Sequence, residues 1–469
     1  MDELTKLKVD YYGGLLGTLI PPLVFISGVI TLSLMGAPDE RGFWPILILA
    51  LCLGLLLAKD KNTFCESVLE GMSQPVVMIM IMAWMLASTI GVLMGLTGFV
   101  EALTWGANEL DLGHSMFVIA VFFVCVLVSV STGSSFGTIL ICGPLLFPAG
   151  GLLGVHLPTL AGVIIGGATF GDCIAPVSDT TIASALSQKA DIGSTVKSRM
   201  KYVIPAALIA IIMYAISAGT RSGDLLQLPP KLEANPLALI MIVVPLVIIY
   251  LLLKKKHLFH GLIYGLIVGV ITALACGLLA PEEILSLDLD HYRANSFIID
   301  GINRAVGISF FTILLMGLVS SVKASGLLER LANFSADKIA SARQAEGWIL
   351  GSVGLIVLVT AHSIVAILTA SEFVRQAGEQ MNINKYRRAN LMGLVVCTFP
   401  FILPYFIPVI LMSNATLAGA DFNISAISPL EVGLHNFFSW SLMLVTLFAV
   451  ITGYGRSSIP DGDVTKEDV

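Results

Sequence analysis

The stretch Gly171-Asp172-Cys173-Ile174-Ala175-Pro176-Val177-Ser178-Asp179-Thr180-Thr181 brings two carboxylates, a proline and three hydroxyls together. It follows a run, Ser115 to Phe170, that holds no Asp, Glu, Lys or Arg. Hydropathy places it inside a bilayer, where an Asp at a helix centre costs roughly 2.5–3.5 kcal/mol on insertion scales. Such a residue faces a partner or a watery cavity. Pro176 removes a helix donor and restricts the residue before it, which predicts a break at Ala175-Pro176. A broken helix frees carbonyls at one end, and acids and hydroxyls beside them form hard oxygen ligands for a small cation. Asp172, Ser178, Asp179, Thr180 and Thr181 are therefore the candidate ion ligands, with Asp179 and Asp172 as the pair for sodium. Asp179 also reads as the cap of a half-helix beginning at Thr180, and the hydroxyls as bonded to carbonyls one turn back.

A second polar cluster, 131–138, separates two apolar arms at 114–130 and 139–153. It is flexible and uncharged, an odd composition for a wet loop. It reads as the tip of a re-entrant hairpin at membrane depth, where irregular backbone survives only beside protein or a cavity. Thr132, Gly133, Ser134 and Ser135 are thus candidates for lining a substrate cavity. Thr360, His362 and Ser363 form a similar tip, with an imidazole suited to handling a proton or carboxylate. Asn414, beyond a second proline break at Pro404, completes the set.

The elements that carry these residues follow from composition. The 469 residues are 56% hydrophobic and 12% charged, with a mean hydropathy of +0.90. Soluble domains carry about a quarter charged residues, so the chain reads as an all-α polytopic membrane protein. Its long uninterrupted apolar runs exclude an outer-membrane barrel. A net charge of −6 indicates no nucleic-acid partner. Seven scattered cysteines support neither a disulfide frame nor a zinc site. No HExxH spacing or nucleophile–base constellation marks an enzyme, and no P-loop supports direct ATP-driven transport. No cofactor is expected beyond sodium and protons as coupling or transported ions.

Windows of about 20 apolar residues place spans near 13–35, 42–58 and 75–97, followed by a loop holding Glu101, Glu109 and Asp111. After the first hairpin come a broken span, 158–188, and a span at 202–219. The second half has spans near 236–253, 258–280 and 303–325, a hairpin at 360–363, a broken span at 389–417 and a last span at 434–453. Phe99-Val100-Glu101-Ala102-Leu103 matches Leu327-Leu328-Glu329-Arg330-Leu331, Thr132 matches Thr360, and Pro176 matches Pro404. Each pair is 228 residues apart. The chain thus divides into a first repeat, 1–220, a linker, 221–235, a second repeat, 236–456, and a tail, 457–469. About ten transmembrane helices plus two re-entrant hairpins give five crossings per half, so the copies have inverted topology. Cations at 189–201, 254–256 and 375–388 fit a cytoplasmic N-terminus and C-terminus by the positive-inside rule. Inverted repeats with discontinuous helices are a plan of secondary transporters.

Residues 171–181 resemble the signature of the NhaC family of sodium/proton antiporters, roughly G-D-K-x-S-P-L-S-D-T-T. Residues 132–138 resemble its T-G-(T/S)-S-W-G-T hairpin. Cys173, Ala175 and Phe136 stand where the family has Lys, Ser and Trp. The resemblance implies membership of the ion-transporter superfamily, an elevator-type carrier domain and a homodimer. The expected function is sodium/proton antiport across the cytoplasmic (inner) membrane by alternating access. The alternative is a sodium- or proton-coupled carrier or exchanger of a small organic acid or amino acid, since family members also move such solutes.

Overall fold

Lipid offers backbone N–H and C=O groups no partner, so apolar runs of this length close their hydrogen bonds internally as helices. A computed structural model describes residues 7–35, 40–111, 113–219, 235–254, 256–289, 292–328, 330 and 339–456. Among these, eleven helices are long and apolar enough to cross a membrane. Lys385–Ile402 and Ile407–Phe422 form a further apolar pair bent by 48° at a short break, and Phe437–Thr452 is a shorter apolar helix. The chain is an all-α, multi-pass membrane protein. The tail 457–469, all of the linker except Asn235, and Glu329 lie outside the described residues.

Local structure departs from the sequence reading where charge imitates a loop. Residues 101–111 were expected to be a loop, yet Phe99–Glu109 is a helix. Val100, Ala102, Thr104 and Ala107 give it one buried face, so it is amphipathic rather than unstructured. Ile192–Ser217 begins ten residues before the span expected at 202 because Asp191 caps it, accepting from the Ser194 N–H at 2.7 Å. Lys61–Met72, capped by Asp60, was not foreseen at all. A short antiparallel strand pair joins Ser286 to Asn295 and Asp288 to Arg293.

Two groups of helices emerge from which helix touches which. Leu15–Leu34, Trp44–Leu57, Lys61–Met72, Pro75–Leu96, Val243–Leu253, Leu258–Ala275 and Phe297–Ala324 pack mainly on one another and form a first bundle. The second bundle holds both hairpins and both broken spans, with Ile192–Ser217 and Phe437–Thr452. Each bundle draws on both halves of the chain. Of the most apolar 18 residues of Ser135–Leu152 and of Leu157–Ser187, 89% and 78% are buried, against 22% for Pro236–Leu253. The polar stretches singled out from sequence therefore sit in the interior of the second bundle, while Pro236–Leu253 lies on the outside.

Candidate functional site

The first hairpin turns more tightly than its composition foretells. His114–Thr132 and Ser135–Leu152 leave only Gly133 and Ser134 outside a helix. The turn is short because both helix ends are capped inside the cluster. Gly133 takes φ +66° and ends the first arm, while the Ser134 hydroxyl accepts from the Gly137 N–H at 3.2 Å and starts the second. A β-carbon on Gly133 would lie 2.8–3.0 Å from the side chain and carbonyl of Val177. The tip is thus pressed against the first helix break.

That break falls where Pro176 predicts. Leu157–Ile174 ends, four residues run extended or turned, and Asp179–Ser187 begins. The cap is Ser178 rather than Asp179, which is the first helical residue. Asp179 is therefore free of capping duty; its carboxylate is exposed and makes no hydrogen bond or ion pair among the described residues. Asp172 lies one turn before the break, only 7% exposed, and accepts from the Ser135 hydroxyl at 3.0 Å. Ser178 and Thr180 share a hydroxyl–hydroxyl bond at 2.9 Å.

The same local structure recurs 228 residues on. Ala342–Thr360 and Ser363–Gln380 leave Ala361 and His362 between them, with Ala361 at φ +49° in the place of Gly133. The Thr132 hydroxyl bonds the Ser134 carbonyl, and the Thr360 hydroxyl bonds the His362 carbonyl. At the breaks, the Ser178 N–H bonds the Ala175 carbonyl and the Phe406 N–H bonds the Leu403 carbonyl. Pro404 lies inside the second break, and Ile407 opens the next helix in the place of Asp179.

Both tips and both breaks line one cavity of about 70 Å³. At about 10–15 Å³ per water position, that is room for on the order of five waters, or a small cation with part of its shell. Gly133, Ser134, Ser135, Asp172, Ser178, Asp179 and Thr180 form one wall, and His362, Ser363, Phe401 and Phe406 lie in the other. The His362 Nδ1 is buried without a hydrogen-bond partner among the described residues.

Four candidates lie outside that wall. Thr132 and Thr360 point into their own turns. Thr181 is fully buried and accepts from the Arg199 guanidinium at 3.0 Å. Asn414 reaches a different cavity, donating to the Arg304 carbonyl at 3.0 Å and the Glu40 carboxylate at 3.4 Å. It follows the second break by about two helical turns, which carries it off the site. The free-carbonyl expectation also changes, because the Cys173 carbonyl at the broken end is taken by Arg199 at 3.1 Å.

Arg199 is the residue that sequence reasoning missed, having counted it among loop cations. It is 1% exposed and also donates to the Ser184 hydroxyl and the Asn390 side-chain carbonyl. A signal was present. Thr195, Arg199, Tyr202, Val203, Ala206 and Ala210 share one buried helix face, while Lys197 and Lys201 fall off it.

Residues 19–218 match the model of the Na+/H+ antiporter family. The chain is 26% identical over 320 residues to the malate-2H(+)/Na(+)-lactate antiporter of Bacillus subtilis (strain 168), covering 66% of this chain and 64% of that protein. It is 25% identical over 240 residues to the Na(+)/H(+) antiporter NhaC of Alkalihalophilus pseudofirmus, covering 48% and 50%. NhaC of Bacillus subtilis is 24% identical over 344 residues, covering 68% and 74%. The chain thus spans about half to two thirds of the length of the first two relatives.

Proposed function

We propose that the chain, whose residues 19–218 match the Na+/H+ antiporter family model, is a member of that family and exchanges sodium for protons at the cavity between the two breaks. Asp179 and Asp172 hold the ion, with Ser135, Ser178 and Thr180 supplying neutral oxygens. A sodium ion and a proton compete for the same carboxylates, so loading one expels the other and no separate motor is needed. The observation that carries this reading is the meeting of both hairpin tips and both breaks around one cavity with two acids in its wall.

In this reading the two halves are inverted repeats, the hairpins are re-entrant, and the second bundle moves against the first in an elevator-type cycle of alternating access. What supports it is that each bundle draws on both halves and the acids lie inside only one of them. The protein then sits in the cytoplasmic membrane with both termini inside, working as a homodimer through the first bundle. Proteoliposomes with sodium, lithium and pH gradients test the assignment. Asp179→Asn and Asp172→Asn are each expected to abolish sodium-dependent proton flux; full ion dependence in both variants would place the site elsewhere.

A second reading is favoured by the unpartnered His362 Nδ1 and by the relative named for malate and lactate. Here the cavity takes a small organic acid together with the ion. Sodium-dependent exchange of labelled malate or lactate by reconstituted protein separates the two readings.

A further inference from the structure

Arg199 is a buried cation whose hydrogen-bond partners are all neutral: the Cys173 carbonyl, the Thr181 and Ser184 hydroxyls and the Asn390 amide oxygen, at 3.0–3.2 Å. A guanidinium taken out of water without an opposite charge is strongly unfavourable. The carbonyl it grips belongs to the residue after Asp172. Its hydroxyl partners lie in the first turns of the half-helix that Asp179 opens. Arg199 therefore spans the break from behind, while the two acids line the cavity in front of it.

Charge at the site can then be counted. The residues lining the cavity include two carboxylates and one imidazole, and no Lys or Arg. With both acids ionised they carry two negative charges, and Arg199 returns one. We propose that Arg199 is a built-in counter-charge that limits the load of the site to one monovalent cation. This rests on the reading of the cavity as a sodium–proton exchange site. With Arg199 in place, one sodium or one proton brings the group to neutrality, and a second cation would leave a buried positive charge. Each crossing of the loaded carrier then moves no net charge, and one sodium is exchanged for one proton.

Removing the guanidinium leaves two uncompensated acids. They share one sodium but can each take a proton, so the exchange becomes one sodium against two protons and moves one charge per cycle. Arg199 touches neither ion, so it is a positioning residue. It also staples the two half-helices to Asn390, which itself donates to the Ser198 hydroxyl at 2.7 Å.

The test is the null point of flux in proteoliposomes, the sodium and pH gradients at which net transport stops, measured at several clamped membrane potentials. The null point is a thermodynamic ratio and does not depend on how much protein is folded. Wild type is expected to stop where the two gradients balance one to one, at every potential. Arg199→Gln is expected to have a null point that shifts with potential. Arg199→Lys keeps the charge and should keep the wild-type null point, with slower turnover from the lost contacts. Asn390→Ala loses the tie but no charge, and should likewise leave the null point alone. A wild-type null point that moves with potential overturns the inference, even if Arg199→Gln fails to fold. So does an Arg199→Gln null point that stays put. Absence of any sodium-dependent proton flux in wild type would instead overturn the exchange reading itself.

Discussion

Ser135 joins the first hairpin to the first broken span through its bond to Asp172. A hydrogen bond to a charged group is worth about 1.5–3 kcal/mol, so Ser135→Ala is expected to weaken apparent sodium affinity by about tenfold to a hundredfold in transport assays. An unchanged affinity would show that the hydroxyl does not prepare Asp172. Gly133 and Ala361 make a paired test of the left-handed turns. The left-handed region costs a residue with a β-carbon roughly 1–2 kcal/mol, and Ala361 bears that cost where Gly133 does not. Ala361→Gly should therefore raise the thermal midpoint in detergent, by about 1 kcal/mol of stability at most. Gly133→Ala should lower it by more, since its new β-carbon would also press on Val177. Single residues were legible where apolar surroundings made them anomalous: Asp172, Asp179 and the tip hydroxyls stood out in a charge-free run. Arg199 was hidden by Lys197 and Lys201, which flank it and make the segment look like a basic loop. Asn414 misled because sequence gives the turn of a helix but not which neighbour that turn meets.

Among the elements, the start of the helix Ala342–Thr360 is fixed by a charge cluster. Glu346 is fully buried and accepts from Arg387 at 2.9 and 3.0 Å and from Arg456 at 3.0 and 2.7 Å. Arg387 also donates to the Tyr454 and Ala449 carbonyls and to the Tyr202 hydroxyl. Four helices or their ends are tied there: Ala342–Thr360, Lys385–Val395, Ile192–Ser217 and Phe437–Thr452. Removing one partner of a buried pair leaves the other charge uncompensated, at about 3–5 kcal/mol. Glu346→Ala should lower unfolding stability by that order, seen as a large fall in the detergent melting temperature. Arg387 and Arg388, counted from sequence among the cytoplasmic cations, are both buried. Residue counts around a loop carry the sign of charge but not the depth. Hairpins and breaks were easier, because glycine, proline and hydroxyls punctuate an apolar sequence only where the helix must stop.

At the scale of the molecule, the two bundles meet along Pro75–Leu96 and Ser135–Leu152. Small cavities of about 10 and 30 Å³ lie along that contact, both lined in part by Gly91 and Pro144. A β-carbon on Gly91 would come within 2.9 Å of the Pro144 β-carbon. Gly91→Leu should wedge the bundles and lower turnover several-fold, with little change in apparent sodium affinity. An equal loss in both would assign the residue to binding instead. Membrane class could be read from hydropathy; the division into bundles could not, because it depends on pairings between segments distant in the chain. The two breaks are also chemically lopsided. Pro400 and Ile407 stand 228 residues beyond Asp172 and Asp179, so the second break faces the cavity with Phe401, Phe406 and Pro408 rather than acids. An alkali ion settling against the first break's oxygens must shed water towards this oily side and finds few replacements there. Dehydration cost, which differs between lithium, sodium and potassium, then becomes the means by which one half of the protein edits what the other half binds.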